Sequence, residues 1–217
     1  MSGLVSICDW LPPDFGAVGQ YALAWAREEA AQGREMTLIG LSSSGSSVEE
    51  EGSGAGRLTV VRLAAPLYDR ANLWRRLAWT VRTNGRLLRA AFRHRRAAGE
   101  VLFTGSPPFF VHWIVPANLL LRWKLTYRIT DFHPECLIAE LGHAPWWLRL
   151  FAAWTRFLRR RVDRFEVLGE DQRRRLLEIG IPAERIELRR DESPVAIDAA
   201  TRPLRRVQAA SSAAQRR

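Results

Sequence analysis

Short apolar runs alternate with longer stretches of helical period along this chain. Runs at residues 4–7, 36–41, 58–64, 100–104, 125–130, 164–168 and 186–190 predict strands. Between them, residues 16–33, 72–97, 109–122, 145–161 and 170–179 predict helices, with Gly33 and Gly180 where a helix C-cap falls. Residues 42–56 are rich in Ser, Gly and Glu and predict a mobile loop. In 72–97, Trp74, Leu77, Ala78, Val81, Leu88 and Phe92 share one face and Arg fills the others, which predicts an amphipathic helix burying that face. Residues 109–122 are apolar nearly all round, so they lie deep in the core or against lipid. Strands alternating with helices predict an α/β fold, a parallel sheet of about six to seven strands with helices on both faces. That domain is expected over residues 1–198, and residues 199–217, rich in Ala, Ser, Arg and Gln, predict a disordered tail.

Composition narrows the class. A chain of 217 residues that is 47% hydrophobic supplies a core and excludes wholesale disorder. The longest apolar candidate, residues 109–121, is interrupted by His112, Pro116 and Asn118 and falls short of the roughly 18 residues a membrane-spanning helix needs. Residues 1–9 carry no secretory signal pattern. Cys8 and Cys136 form neither a disulfide framework nor a zinc site, so a reducing cytosol is expected and no metal site.

The net charge of +10 is local. Residues 72–97 carry +8, residues 145–164 carry +5 and residues 201–217 carry +5, leaving −8 elsewhere. Nucleic acid, anionic lipid and phosphorylated ligands are all admissible partners for such patches. Nine Trp, many beside the basic segments, favour a membrane interface, where indole rings settle at headgroup depth. No nucleic-acid-binding motif accompanies the charge, so nucleic acid is not an expected partner. In the helix over 145–161, Trp147, Leu150, Phe151, Trp154 and Leu158 share helical spacing. Trp146, Arg149, Arg156, Arg159, Arg160 and Arg161 are expected to face an anionic membrane.

Ligands of open α/β sheets bind beyond the carboxyl ends of the strands, which selects four loops. After the first strand, residues 9–19 hold Asp14, Gly16 and Gly19; the glycines open a helix that faces an anion, or serve a turn and a close helix–sheet contact. Residues 104–108 read Thr-Gly-Ser-Pro-Pro, a rigid turn that starts a helix well and offers Ser106. After the fifth strand, Asp131, His133 and Glu135 fall within five residues, a dense set for proton and hydrogen-bond chemistry; the plainer reading is that Asp131 or Glu135 caps the next helix. Glu170 and Asp171 suit the dipole of the helix they open. HExxH, Walker A, GxSxG and CxxC patterns are absent from the sequence.

These segments resemble a known family. Residues 11–19 look like the opening "PPDxGAxG" loop of the acceptor-side domain of GT-B, family 4-like bacterial glycosyltransferases, which build cell-surface polysaccharides and lipopolysaccharide. Residues 104–109 resemble their "TGSPPF" turn, residues 131–135 their "D-x-x-P-E" loop, residues 162–170 their "ADxxxVLSE" strand, and residues 189–195 the strand end before their second domain. The resemblance implies a Rossmann-like half of a GT-B fold that binds the acceptor, while a second domain holds a nucleotide-sugar and transfer proceeds with retention. It implies that Gly16 and Gly19 approach the donor diphosphate, that Asp131 and His133 act at the acceptor or transferring sugar, and that Asp14, Ser106, Glu135 and Glu170 contact substrate. It implies no tightly bound cofactor or essential metal. The expected partners are a lipid-linked or saccharide acceptor, the inner face of the cell membrane and a separate donor domain. After Val195 the sequence departs from the pattern into low complexity, so the chain is expected to be a truncated or split enzyme, inactive alone. The alternative is a non-catalytic remnant or a membrane-binding subunit.

Overall fold

A computed structural model describes residues 3–14, 16–53, 56–67, 73–94 and 98–190. Eight strands form one sheet in the order β3-β4-β2-β1-β5-β6-β7-β8: β1 Gly3–Trp10, β2 Glu35–Ser42, β3 Ser47–Ser53, β4 Gly56–Ala64, β5 Ala98–Thr104, β6 Lys124–Ile129, β7 Arg164–Val167 and β8 Ile186–Leu188. All neighbours pair in parallel except β3 with β4. The helices are α1 Ala17–Ala31, α2 Leu73–Arg93, α3 Val111–Leu121, α4 Glu135–Leu141, α5 Trp146–Arg159 and α6 Glu170–Glu178.

The core strands read as apolar runs because a parallel sheet is covered on both faces. One face packs under α1 through Leu4, Cys8, Leu38 and Leu58 against Ala22, Leu23, Trp25 and Ala26. The other packs Ile7, Ile39, Phe103, Tyr127 and Phe165 under α2, α3, α5 and α6, through Leu87, Ile114, Leu158 and Leu176. Beyond α1 the first face turns polar: Arg128 and Glu166 form a buried ion pair at 2.6 Å, with the Trp25 ring against the Arg128 guanidinium.

Three expectations need correction. The loop predicted over 42–56 contains β3, an antiparallel edge strand, so the sheet has eight strands. Its acidic run is matched by Arg: Arg62 to Glu49 at 2.8 Å, Arg57 to Glu50 at 3.5 Å and Arg27 to Glu51 at 2.8 Å. Most of the α2 face predicted to be buried points outward, with Trp74 77% and Leu77 52% exposed, while Leu88 of that face packs against the core. The helix packs through Thr83, Asn84, Leu87, Ala90 and Ala91 instead, and Asn84 donates to the Pro108 carbonyl at 3.0 Å. The segment 109–122 is buried on one side only: Val111, Ile114 and Val115 are in the core, while Leu119 and Leu120 are exposed. The predicted tail at 199–217, and the end of the domain predicted at 198, lie outside the described residues.

Candidate functional site at the carboxyl edge of the sheet

Strand order reverses between β1 and β5, so the crevice of an open α/β sheet falls at their carboxyl ends. Asp9, next to last in β1, sits there. Its Oδ2 accepts a hydrogen bond from the Ser106 hydroxyl at 2.7 Å, while its Oδ1 is buried without a partner. Burial raises the Asp9 carboxyl above the usual range; the Ser106 hydroxyl and the backbone N–H groups of Trp10 and Asp9 oppose this, and the nearby Asp131 adds to it. Gly105 lies between β5 and β6, its N–H donating to the Arg128 carbonyl at 3.0 Å. A Cβ at Gly105 would stand 2.8 Å from Thr130 Oγ1, which is itself buried without a partner. Two buried oxygens at the carboxyl edge of the sheet, a carboxylate on β1 and a hydroxyl after β6, thus lack hydrogen-bond partners.

His133 follows Asp131 in the loop after β6. It is half-buried, and desolvation lowers its pKa against the opposing pull of Asp131 and Glu135. Its ring lies 5.6 Å from Phe109, a residue in the left-handed region at φ 66°. Such a conformation costs a non-glycine residue energy that its surroundings must supply. Phe109 has those surroundings: edge contacts to Phe151 at 5.3 Å and to His112 at 5.9 Å. His112 in turn stacks on Phe151 at 4.7 Å and meets Trp154 at 4.8 Å. Desolvation lowers its pKa to about 4, so it is neutral at pH 7. Its Nε2 bonds Thr155 at 3.0 Å. Aromatic rings thus run without a break from the His133 loop to the outer side of α5.

The remaining predicted residues are dispersed. Asp14 turns to the loop after β2, accepting from the Ser43 N–H at 2.9 Å and from its hydroxyl. Desolvation pushes its carboxyl up, but the Ser43 bonds prevail and its pKa is lowered. Gly16 is the extended N-cap of α1. Gly19 has a packing cause, because a Cβ there would fall 1.8 Å from the Trp10 carbonyl oxygen. Glu170 is exposed in the first turn of α6 and pairs with Arg173 at 3.6 Å.

Glu135 is held by Arg159, which corrects the expectation that Arg159 faces a membrane. The Arg159 side chain is 0% exposed; Nη1 reaches Glu135 Oε1 at 2.5 Å and Nη2 donates to the His133 carbonyl at 2.8 Å. The position lies on the inner side of α5 with Leu148, Ala152 and Thr155, and a carboxylate waits there. Arg160 is exposed, yet it donates to the Ile179 carbonyl at 2.9 Å and ends α6. Trp146, Arg149, Arg156 and Arg161 are exposed. Sequence reasoning missed Asp9 and Thr130 as site residues; their position at strand ends was the available signal. The larger cavities lie elsewhere, about 590 Å³ on the α1 side beside Trp25, Glu100 and Glu166, and about 660 Å³ between β4 and α2. Among the described residues no His, Cys, Asp and Glu group is arranged to hold a metal, and no helix is long and apolar enough to cross a membrane.

An open parallel sheet with polar groups gathered at its reversal point is the architecture of one Rossmann-like half of a GT-B glycosyltransferase. The family model for the glycosyl transferase 4-like domain matches residues 16–190, and the chain belongs to that family. No curated protein matches it significantly in sequence. Among solved structures it is similar to an E. coli protein described as trehalose-6-phosphate bound with UDP-2-fluoro glucose, at TM-score 0.52 and 12% identity over 82% of this chain and 42% of that one. It is also similar to the α,α-trehalose 6-phosphate synthase of Burkholderia multivorans, at TM-score 0.52 and 12% identity over 82% and 43%. Anabaena Alr3699/HepE in complex with UDP and glucose matches at TM-score 0.51 and 9% identity over 88% and 45%. The chain therefore spans less than half the length of these structures, and at these identities the likeness is one of fold.

Proposed function

We propose that this chain forms the acceptor side of a retaining glycosyltransferase. It transfers a sugar from a nucleotide-sugar to a lipid-linked saccharide during cell-surface polysaccharide assembly, on the inner face of the cell membrane. The carrying observation is the pair of buried, unpartnered oxygens, Asp9 Oδ1 and Thr130 Oγ1, at the sheet's reversal point in a glycosyl transferase 4-like domain. Sugar hydroxyls are the donors such acceptors lack. Asp131 and His133 stand beside them on the loop after β6 and act at the acceptor or the transferring sugar. His133, held toward its neutral form, is suited to exchange a hydrogen bond with a hydroxyl near pH 7. Gly16, the N-cap of α1, approaches the donor diphosphate, and Ser106 holds Asp9 in place. The donor itself is held by a domain other than the one described.

Saturation-transfer NMR of the chain with a panel of oligosaccharides, beside UDP-, GDP- and dTDP-sugars, tests this. At least one oligosaccharide should receive saturation from the wild type and lose it with Asp9→Ala, with nucleotide-sugars receiving less. Absence of saccharide contact across the panel, or contact that D9A leaves intact, would overturn it.

A further inference from the structure

The helix α5 is apolar on two sides, although its own domain covers only one of them among the described residues. Its inner side carries Leu148, Ala152, Thr155, Leu158 and Arg159. The opposite side, which covers nothing among the described residues, carries Trp146 at 74%, Leu150 at 63%, Trp154 at 48% and Phe157 at 52% exposure. Isolated apolar side chains at a surface need no explanation, but a stripe of three rings and a Leu at helical spacing does.

Charge identifies what covers it. Arg149, Arg156 and Arg160 follow one another along one flank of the stripe, and Arg161 stands over the Phe157 ring at 4.7 Å. No acid occurs in α5. A second copy packed antiparallel through this stripe would set Arg flank against Arg flank. A bilayer of anionic lipid meets both halves of the pattern: headgroups pair with the Arg flank, and Trp and Phe enter the headgroup–acyl boundary. We propose that the outer face of α5 docks on an anionic phospholipid surface.

Direction gives the docking a purpose. As the connection into the parallel strand β7, α5 runs against the strands, so its first turn, with Trp146 and Trp147, lies at the carboxyl edge that holds His133. The ring contacts from Trp154 through His112, Phe151 and Phe109 lead to His133. An acceptor whose lipid stays in the bilayer thus reaches the site edge without leaving the membrane. This purpose rests on the lipid-linked acceptor proposed above, whereas the docking is read from binding alone.

The experiment is flotation of the full chain with phosphatidylcholine vesicles with and without phosphatidylglycerol, at low and at physiological salt. Wild type should float with the phosphatidylglycerol vesicles and less so as salt rises. Arg149→Gln with Arg156→Gln should weaken binding by about tenfold or more. Trp146→Ser with Phe157→Ser should abolish it even at low salt, while the far-ultraviolet circular dichroism stays unchanged. Absence of flotation, or flotation unchanged by both pairs, would overturn the proposal. So would a wild-type dimer in sedimentation that the Trp146/Phe157 pair dissolves, since the stripe would then be a protein interface. Loss of docking with oligosaccharide saturation transfer intact would remove this inference and leave the acceptor-side reading standing.

Discussion

Arg159 and Glu135 join the inner side of α5 to the start of α4 through a 2.5 Å ion pair, with the Arg side chain fully buried. The same guanidinium donates to the His133 carbonyl and lies 5.0 Å from the Phe132 ring. One side chain from a helix therefore fixes the loop on which Asp131 and His133 stand.

Removing that guanidinium leaves the half-buried Glu135 carboxylate without its partner and the Arg159 position closed to water, and breaking such a pair is costly. Arg159→Met should lower unfolding free energy by about 3 kcal/mol in urea denaturation. Arg156→Gln, at an exposed position on the same helix, should change it by less than about 0.5 kcal/mol. Equal effects would show that Arg159 contributes no more than a surface charge.

Gly19 is predicted to tolerate no side chain. Its Cβ would meet backbone atoms of Trp10, not a side chain that can swing away, so α1 itself must shift. Gly19→Ala should cost about 1–3 kcal/mol, by analogy with overpacking. A neutral outcome in thermal unfolding would mean that α1 is not held against β1.

Much of the fold was legible because strands buried on both faces are continuous apolar runs, as in residues 36–41, which became Glu35–Ser42. β3 was not legible. Its only large apolar residue, Val48, is 65% exposed, and the strand is held by backbone pairing and by Arg partners remote in sequence. In α2 and α5 the period revealed an apolar stripe but not which side met the core, since Asn84 and Arg159 are polar residues buried by distant partners. The loops of the site were visible as strand ends. The vacant acceptor on Asp9 depends on Ser106, which local sequence does not bring near it.

His112 should be silent in a titration near neutrality. Its folded pKa of about 4 lies below the ordinary imidazole value of 6.5, so the unfolded chain binds the proton more readily. The associated stability is fully present above about 6.5 and is lost as pH falls through about 4. Proton NMR should show the His112 ring signals constant from pH 8 to below the ordinary His midpoint. A midpoint at the ordinary His value would contradict the desolvated ring cluster.

Asp9 gives the opposite slope. Its folded pKa is raised, so the unfolded state releases the proton first and stability falls as pH rises from the ordinary carboxylate range through the raised value. Asp9→Asn, which resembles the protonated acid, should be more stable than wild type at pH 7, and the gap should close in acid. A gap independent of pH would mean that Asp9 is not desolvated.

The central claim is that a saccharide binds at the carboxyl edge of β1, β5 and β6. Backbone amide shifts of the isotope-labelled chain, titrated with an oligosaccharide that receives saturation from it, test this most directly. Shifts should centre on Gly105, Asp131 and His133 and be lost with Asp9→Ala. Shifts confined to the cavity between β4 and α2, around Arg62, Arg86 and Arg93, would contradict it.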